Sequence, residues 1–304
     1  MFQAKKVIFY SCVSPLHMGA GTAVGAIDNP IQREVHTQHP MMAGSGLKGA
    51  ARHHFTRSWS DTSLINRLFG PDKDAADHAG AIAFGDAQLV AFPVRSLRNT
   101  FVYATCPTAL ARLKRMAGDA APWAVPSVKD DEARVTGDGA LSAGRLVLEA
   151  FDFKAEVDAG LVEVAAWLSK NALPAGAAHG YFREKLGKDL VLLTDTAFSH
   201  FVRHATVVEA HVCIDNDTGA AKKTGLFYTE NLPPESLLAG LVLASVERPS
   251  KKAKNTDGGP LMNANQVLTA VLNAKDGLCS DLLQVGGDAT TGRGLVAITA
   301  LGVQ

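Results

Sequence analysis

The sequence predicts an α+β fold in a single domain with long insertions. Short β-branched and aromatic runs alternate with stretches of helical spacing along all 304 residues. No linker divides the chain and no fixed-period repeat runs through it. Hydrophobic residues make up 47% and charged residues 20%, enough apolar surface for a buried core. That composition excludes a disordered tail, a collagen-like fibre and a disulfide miniprotein.

The elements follow in order. Val7 to Val13 reads as a buried strand ending at Ser14-Pro15. The glycine-punctuated run from Leu16 to Gly25 cannot be a helix, because glycine is costly there. Residues 26–43 stay irregular, broken by Pro30 and Pro40, and Gly44-Ser45-Gly46 opens a helix to about Trp59. A second helix, Ser63 to Phe69, stops at Gly70-Pro71. Strands are expected at 81–84 and 88–94, and a helix with basic residues at 108–116. Residues 118–144, rich in Gly, Ala, Asp and Pro, read as a loop or insertion. A strand at 146–149 precedes a helix at 162–173 and a short strand at 190–193. Asp195 is expected to cap a helix running to Val202.

From Val207 to Ile214 the period is two, the mark of a strand with two unlike faces. Asp215-Asn216-Asp217-Thr218-Gly219 is turn chemistry, and the chain returns through Gly225 to Thr229 as a long hairpin. Leu237 to Val246 reads as a central strand, Asn263 to Leu272 as a helix, and Leu295 to Ile298 as the last strand. Lys251, Lys252 and Lys254 fall in a polar loop between them.

Charge and cysteine usage narrow the function. With 30 basic and 30 acidic residues the net charge is zero, which argues against a simple polycation. Residues 1–60 nevertheless carry six Lys and Arg against Asp28 and Glu34, a local excess of +4 expected of a phosphate track. The four cysteines are scattered, with no C-x-x-C pair, so neither a zinc site nor a disulfide framework is expected. The apolar run Val7–Tyr10 is too short for a signal sequence, and nothing approaches the ~20 apolar residues of a membrane helix. A cytoplasmic protein that does not enter the membrane is the expectation.

Gly44-Ser45-Gly46-Leu47-Lys48-Gly49 matches G-x-G-x-x-G formally. It lacks the preceding strand and the acidic residue ~20 positions on that a dinucleotide site needs. It also lacks the Ser or Thr after Lys48 that a P-loop needs. Free N–H groups at a glycine-opened helix start, with Lys48 and Arg52 on successive turns, suit a phosphate; a tight loop packing a helix on a sheet suits the same residues. His17 and Asp28, on loop backbone in this basic segment, could serve acid–base chemistry or hold a metal, or Asp28 could simply form a turn. A projecting hairpin with Lys222-Lys223 at its tip can reach a partner chain or wedge against bases, or be an ordinary sheet edge.

Several segments together resemble one family. They are Leu16–Gly21, Ile27-Asp28-Asn29-Pro30-Ile31-Gln32-Arg33-Glu34, Gly44–Arg52, Phe101–Pro107, Leu226-Phe227-Tyr228-Thr229-Glu230-Asn231-Leu232-Pro233, and Gly286–Gly294. In this order they resemble the backbone subunit of the type III-B CRISPR effector, the Cmr complex, in the RAMP superfamily. The resemblance covers almost the whole chain. It implies one RAMP domain over 1–304: a ferredoxin-like (RRM-like) palm, a helical or loop insertion around 50–145, and a hairpin thumb around 206–233. It implies head-to-tail stacking of copies along CRISPR RNA, contact with other Cmr subunits, and cleavage of guide-paired target RNA at regular intervals, once per subunit.

Carried over residue by residue, the resemblance places catalysis at Asp28, with His17 and Glu230 at the cleavage site. It places RNA binding at Lys48, Arg52, Ser45, Gly46, Gly49 and Arg33. A carboxylate, with a reference pKa near ~4, is a poor base at neutral pH. The implied reaction is therefore metal-dependent, with Mg2+ or Mn2+ held partly by Asp28. The competing expectation within the same assembly is a non-catalytic RNA-binding scaffold, with Asp28 as a turn residue. A cofactor-binding enzyme and a free-standing guide-processing ribonuclease fit fewer of the motifs.

Overall fold

A computed structural model of the chain describes residues 2–73, 77–248, 261–273 and 275–302. The first strand, β1 (Ala4–Cys12), shows why the apolar run near the N-terminus is continuous rather than alternating. Ile8, Tyr10 and Cys12 point into one buried cluster, while Val7 and Phe9 point into another on the opposite face. A strand covered on both faces needs apolar side chains at every position.

The remaining elements, in chain order, are β2 (Met41–Met42), α1 (Gly44–Ser58), α2 (Thr62–Phe69), β3 (Ile82–Phe84), β4 (Ala87–Arg95), β5 (Phe101–Thr105) and α3 (Pro107–Ala117). They continue with β6 (Glu132–Val135), β7 (Arg145–Leu148), β8 (Phe151–Val157), α4 (Ala159–Asn171), α5 (Gly180–Lys188), β9 (Leu190–Leu192) and α6 (Asp195–His204). The last are β10 (Val207–Ile214), β11 (Ala221–Asn231), β12 (Leu237–Ala244), α7 (Ala264–Leu272), β13 (Leu282–Gln284) and β14 (Leu295–Ala300).

Twelve strands form one mixed sheet in the order β13-β14-β1-β12-β4-β5-β9-β6-β8-β7, with β2 on β4 and β3 on β12. β4 joins its two halves: residues up to Ala91 pair with β12, and Phe92 to Arg95 pair with β5. A bulge at this handover puts Val90 and Ala91 into the same cluster. Helices cover both faces. α1, α2, α6 and α7 pack on the Ile8–Tyr10 side, and α4, α5 and most of α3 on the Val7–Phe9 side. The architecture is therefore mixed α/β, with seven helices among the described residues. β10 and β11 form a separate two-stranded hairpin.

Several sequence expectations change here. The 118–144 stretch contains a sheet strand, β6, whose Ala133 and Val135 alone are buried. β8 and α5 were hidden by their polar composition. β8 buries only Phe153, and α5 opens on Gly180 and includes Gly187. Asp195 does not cap its own helix. The Thr194 side chain accepts from the Ala197 amide there, while the Asp195 carboxylate accepts from the Thr108 amide at 3.0 Å and the Thr108 hydroxyl at 2.9 Å. It thus caps the start of α3, a neighbour that no local pattern reveals. Lys251, Lys252 and Lys254 lie outside the described residues. Among those described, no helix is long and apolar enough to cross a membrane.

Candidate functional site

The segment from Leu16 to Arg33 is stitched along the root of the β10–β11 hairpin. Leu16 and Leu232 exchange backbone hydrogen bonds at 2.9 and 2.8 Å. Asn29 pairs in parallel with Thr229, and the Glu230 amide donates to Asn29 O at 3.0 Å. The two arms of the loop close on each other, with Ala20 N donating to Pro30 O and Gln32 N to Met18 O. Residues 21–26 form an exposed tip. Asp28 stands where the tip returns. Its Oδ2 accepts the Tyr228 amide at 2.7 Å, so one carboxylate oxygen is anchored to β11.

His17 comes to the same strand. Its Nδ1 lies 2.7 Å from the Glu230 carbonyl oxygen. A carbonyl only accepts, so Nδ1 carries the proton, and in the neutral ring Nε2 is left with its lone pair. Gly19 keeps space at that nitrogen, since a Cβ there would sit 2.8 Å from Nε2. The glycine-rich segment near the C-terminus backs the same loop. Gly287 N donates to His17 O at 2.9 Å. Gly286 adopts φ +79°, and a Cβ on it would lie 2.3 Å from His17 O, so only glycine fits.

Glu230 is brought to this place but is turned inward. Its carboxylate accepts from Arg33 Nη2 at 2.5 Å, the Thr206 hydroxyl at 2.8 Å and the Ile31 amide at 3.1 Å. The residue is 3% exposed. Arg33 is equally committed, because Nη1 donates to Gln38 O and Val202 O at 2.8 and 2.9 Å. These two residues bind the Asp28 loop to the hairpin and to α6; neither side chain is presented to solvent as a free contact. Next to them, Glu34 is buried. Burial alone would raise its pKa, but the Thr37 hydroxyl and the Arg112 guanidinium hold it below the ordinary carboxylate value.

The start of α1 separates the remaining expected residues. Gly44 N donates to the Asp86 carboxylate at 2.7 Å, so one of the free N–H groups of the helix start already meets an anion. Ser45, Gly46 and Gly49 are exposed. Gly46 also lets Met18 pack close, 2.8 Å from where a Cβ would be. Lys48 is half-buried and makes no hydrogen bond or ion pair among the described residues. Desolvation, then the neighbouring Arg52 charge, pull its pKa down. Arg52 is bound to α2, donating to Gly70 O at 2.5 Å and Asn66 Oδ1 at 2.7 Å. The two cations predicted on one track thus differ: Lys48 is available, and Arg52 holds two helices together.

Above the site the hairpin projects an apolar face. Val208, Val212, Leu226 and Tyr228 lie on it, Leu226 being 55% exposed. On the other face His211 stacks on Phe227, with centroids 5.1 Å apart and planes 17° from parallel.

Two ties went unnoticed in the sequence. Gln32 donates to Gly19 O at 3.1 Å and accepts from Ala43 N at 3.0 Å, joining the Asp28 loop to α1. Arg293 meets Glu209 on β10 at 2.5 Å. Both lie inside motifs quoted above, which was the available signal.

The family model described as RAMPs, the RAMP superfamily, matches residues 9–297, and the chain belongs to that superfamily. Within it, the chain is 31% identical over 294 residues to the CRISPR system Cmr endoribonuclease Cmr4 of Pyrococcus furiosus, covering 94% of this chain and 92% of that one. The structure of oligomeric Cmr4 from the same organism superposes with a TM-score of 0.72 at 26% identity, over 99% of this chain and 98% of the other. A chain of the type III-B Cmr-beta complex bound to cognate target RNA superposes equally well, TM-score 0.72 over 98% of each chain. At 19% identity it speaks to the fold alone.

Proposed function

We propose that this chain is the guide-RNA-binding backbone subunit of a type III-B CRISPR interference complex, and that it cleaves guide-paired target RNA at regular intervals, one site per subunit. Its partners are CRISPR RNA, complementary target RNA, further copies of itself stacked head to tail, and other Cmr subunits. A head-to-tail interface does not close on itself and so builds a filament. In this reading the sheet around β1, β12 and β14 with α1 is the ferredoxin-like palm. The β10–β11 hairpin is the thumb that displaces a nucleotide beside Asp28.

One observation carries the proposal: Asp28 and His17 are both anchored to β11 at the base of the projecting hairpin, at Tyr228 N and Glu230 O. A base displaced by the hairpin would therefore bring its sugar and phosphate to these two side chains. The experiment is target cleavage by the assembled complex with Asp28→Ala: cuts vanish while guide-directed binding persists. Cuts at every interval would return the chain to the role of RNA-binding scaffold.

The donor set bears on the implied divalent ion. The Glu230 carboxylate is already engaged by its three donors. Among the described residues no three His, Cys, Asp or Glu side chains gather in metal-holding geometry. What is left is the second oxygen of Asp28. This fits a magnesium-like ion, which takes one or two carboxylates and fills its shell with water and substrate phosphate. When bound, such an ion would neutralise charge on the phosphoryl oxygens.

The chain's own residues account for the rest. The Tyr228 amide fixes the Asp28 carboxylate against rotation. His17 Nε2 takes the proton from the nucleotide 2′-OH, whose oxygen bonds to the adjacent phosphorus as the P–O5′ bond breaks and the leaving oxygen gains a proton from solvent. The products are a 2′,3′-cyclic phosphate and a 5′-hydroxyl, so a target with deoxyribose at the cut position resists.

A further inference from the structure

An open cleft of about 490 Å³ lies between the 36–39 loop, the start of α3 and the length of α6. Five of its walls are nitrogen-bearing: His36, His39, His200, Arg203 and His204. Four more, Thr37, Thr108, Thr196 and Ser199, bear hydroxyls. We propose that this cleft binds a phosphate group, and that the RNA strand passing the Asp28 site supplies it. The second half of that statement rests on the proposed function; the first does not.

The lining sorts by charge. Asp195 borders the cleft, but its carboxylate is occupied by the Thr108 amide and hydroxyl. Glu34 behind it is matched by Arg112 at 2.8 Å. Arg203 is exposed and makes no hydrogen bond or ion pair among the described residues. It sits in the last turn of α6, where the helix dipole favours a cation. Its charge is not paired with a carboxylate, and the Asp195 charge, which neutral donors leave in place, stands about 12 Å away at the other end of α6.

The imidazoles add donors. Arg112 Nη2 donates to His36 Nε2 at 2.9 Å, so the remaining His36 nitrogen carries the proton when the ring is neutral. His39 is 2% exposed. Its Nε2 meets the Ser199 hydroxyl at 3.1 Å, and its Nδ1 is buried with no partner. Burial first, offset in part by Glu34, keeps the His39 pKa low, so it serves as a neutral hydrogen-bonding group. His200 and His204, one turn apart, hold their rings 4.6 Å between centroids. Rings so close can turn N–H groups towards one shared anion.

The cleft borders the candidate site. Arg33 links Val202 O on α6 to Glu230. Thr206, three residues past Arg203, donates to the Glu230 carboxylate. Three residues span at most ~11 Å, so Arg203 lies no further than that from the residue that ties α6 to the Glu230 carboxylate.

The test has two arms. In the first, the full chain is titrated with inorganic phosphate against chloride at matched ionic strength and one fixed pH, while the histidine ring resonances are followed. The His200 and His204 signals should shift with phosphate; Arg203→Ala should abolish the shift without lowering the melting temperature. In the second, the complex carrying Arg203→Ala is assayed for target-RNA binding across salt concentrations. Its log–log salt slope should fall by about 0.7–0.9, one lost phosphate contact, with Arg203→Lys restoring it. Ring shifts without a change in slope would overturn RNA as the source and leave a small phosphate anion as the ligand. Rings silent to phosphate, with an unchanged slope, would overturn the site. A wild-type complex unable to bind target RNA would instead overturn the proposed function, and the first arm would still read the cleft.

Discussion

Replacing Glu230 with alanine separates a chemical role for its carboxylate from a structural one. The side chain is 4% exposed and its ion-pair partner Arg33 is 15% exposed, so both charges are held largely out of water. Truncation removes the acceptor for Arg33, Thr206 and the Ile31 amide together. Breaking a buried pair from one side costs about 3–5 kcal/mol. Arg33 keeps the carbonyls of Gln38 and Val202, which places the effect near the lower end, about 3 kcal/mol. For a domain this large each kcal/mol moves Tm by roughly 2 °C, so thermal denaturation followed by circular dichroism should show a fall of about 6 °C. Arg33→Ala and Glu230→Ala should be non-additive by about 1–3 kcal/mol in a double-mutant cycle. Cleavage falls because the Asp28 loop loosens. If Glu230→Ala melted like the parent yet no longer cut RNA, the carboxylate would act on the substrate itself and the reasoning would be refuted.

Other perturbations probe separate links. Lys48→Ala should leave Tm unchanged while weakening guide-RNA assembly and lowering its salt slope by about one; Arg52→Ala should instead cost about 1–3 kcal/mol of stability, by losing its contacts with Gly70 and Asn66. Gly286→Ala would drive a Cβ into His17 O, so both Tm and cleavage should drop, with soluble yield and cleavage rate as readouts. Glu235 is raised to about 7 by burial, partly offset by the Tyr103 hydroxyl that donates to it. A folded pKa above the unfolded one means the folded state holds the extra proton, so this group's contribution to stability is full below about 4.5 and is lost as pH climbs towards 7. Glu235→Gln should therefore flatten the Tm profile over that window and melt higher than the parent above pH 7.

What the sequence disclosed follows from where its information is local. β12 was legible because burial on both faces demands an unbroken apolar run, and Leu237, Leu238 and Ala239 indeed enter opposite clusters. β10 was legible for the opposite reason: its two faces differ, and the period of two survives. β6 was not, since only Ala133 and Val135 carry its burial within an acidic, glycine-rich stretch. The site divides the same way. Asp28 and His17 were marked by loop context and by a family resemblance. The commitments of Arg33 and Arg52 were invisible, because Arg33 finds its carboxylate 197 residues away and Arg52 its amide on the next helix. The local excess of +4 therefore overstates the charge left for RNA. Asp195 repeats the lesson, a cap in the right place for the wrong helix.

The most direct test of the central claim is target-RNA cleavage by a complex assembled with Asp28→Asn. Asparagine keeps an oxygen for the Tyr228 amide and so preserves the loop, removing only the charge. The account expects target RNA to be bound as before and to remain uncut at every interval. Cuts that persist at their usual spacing would contradict it.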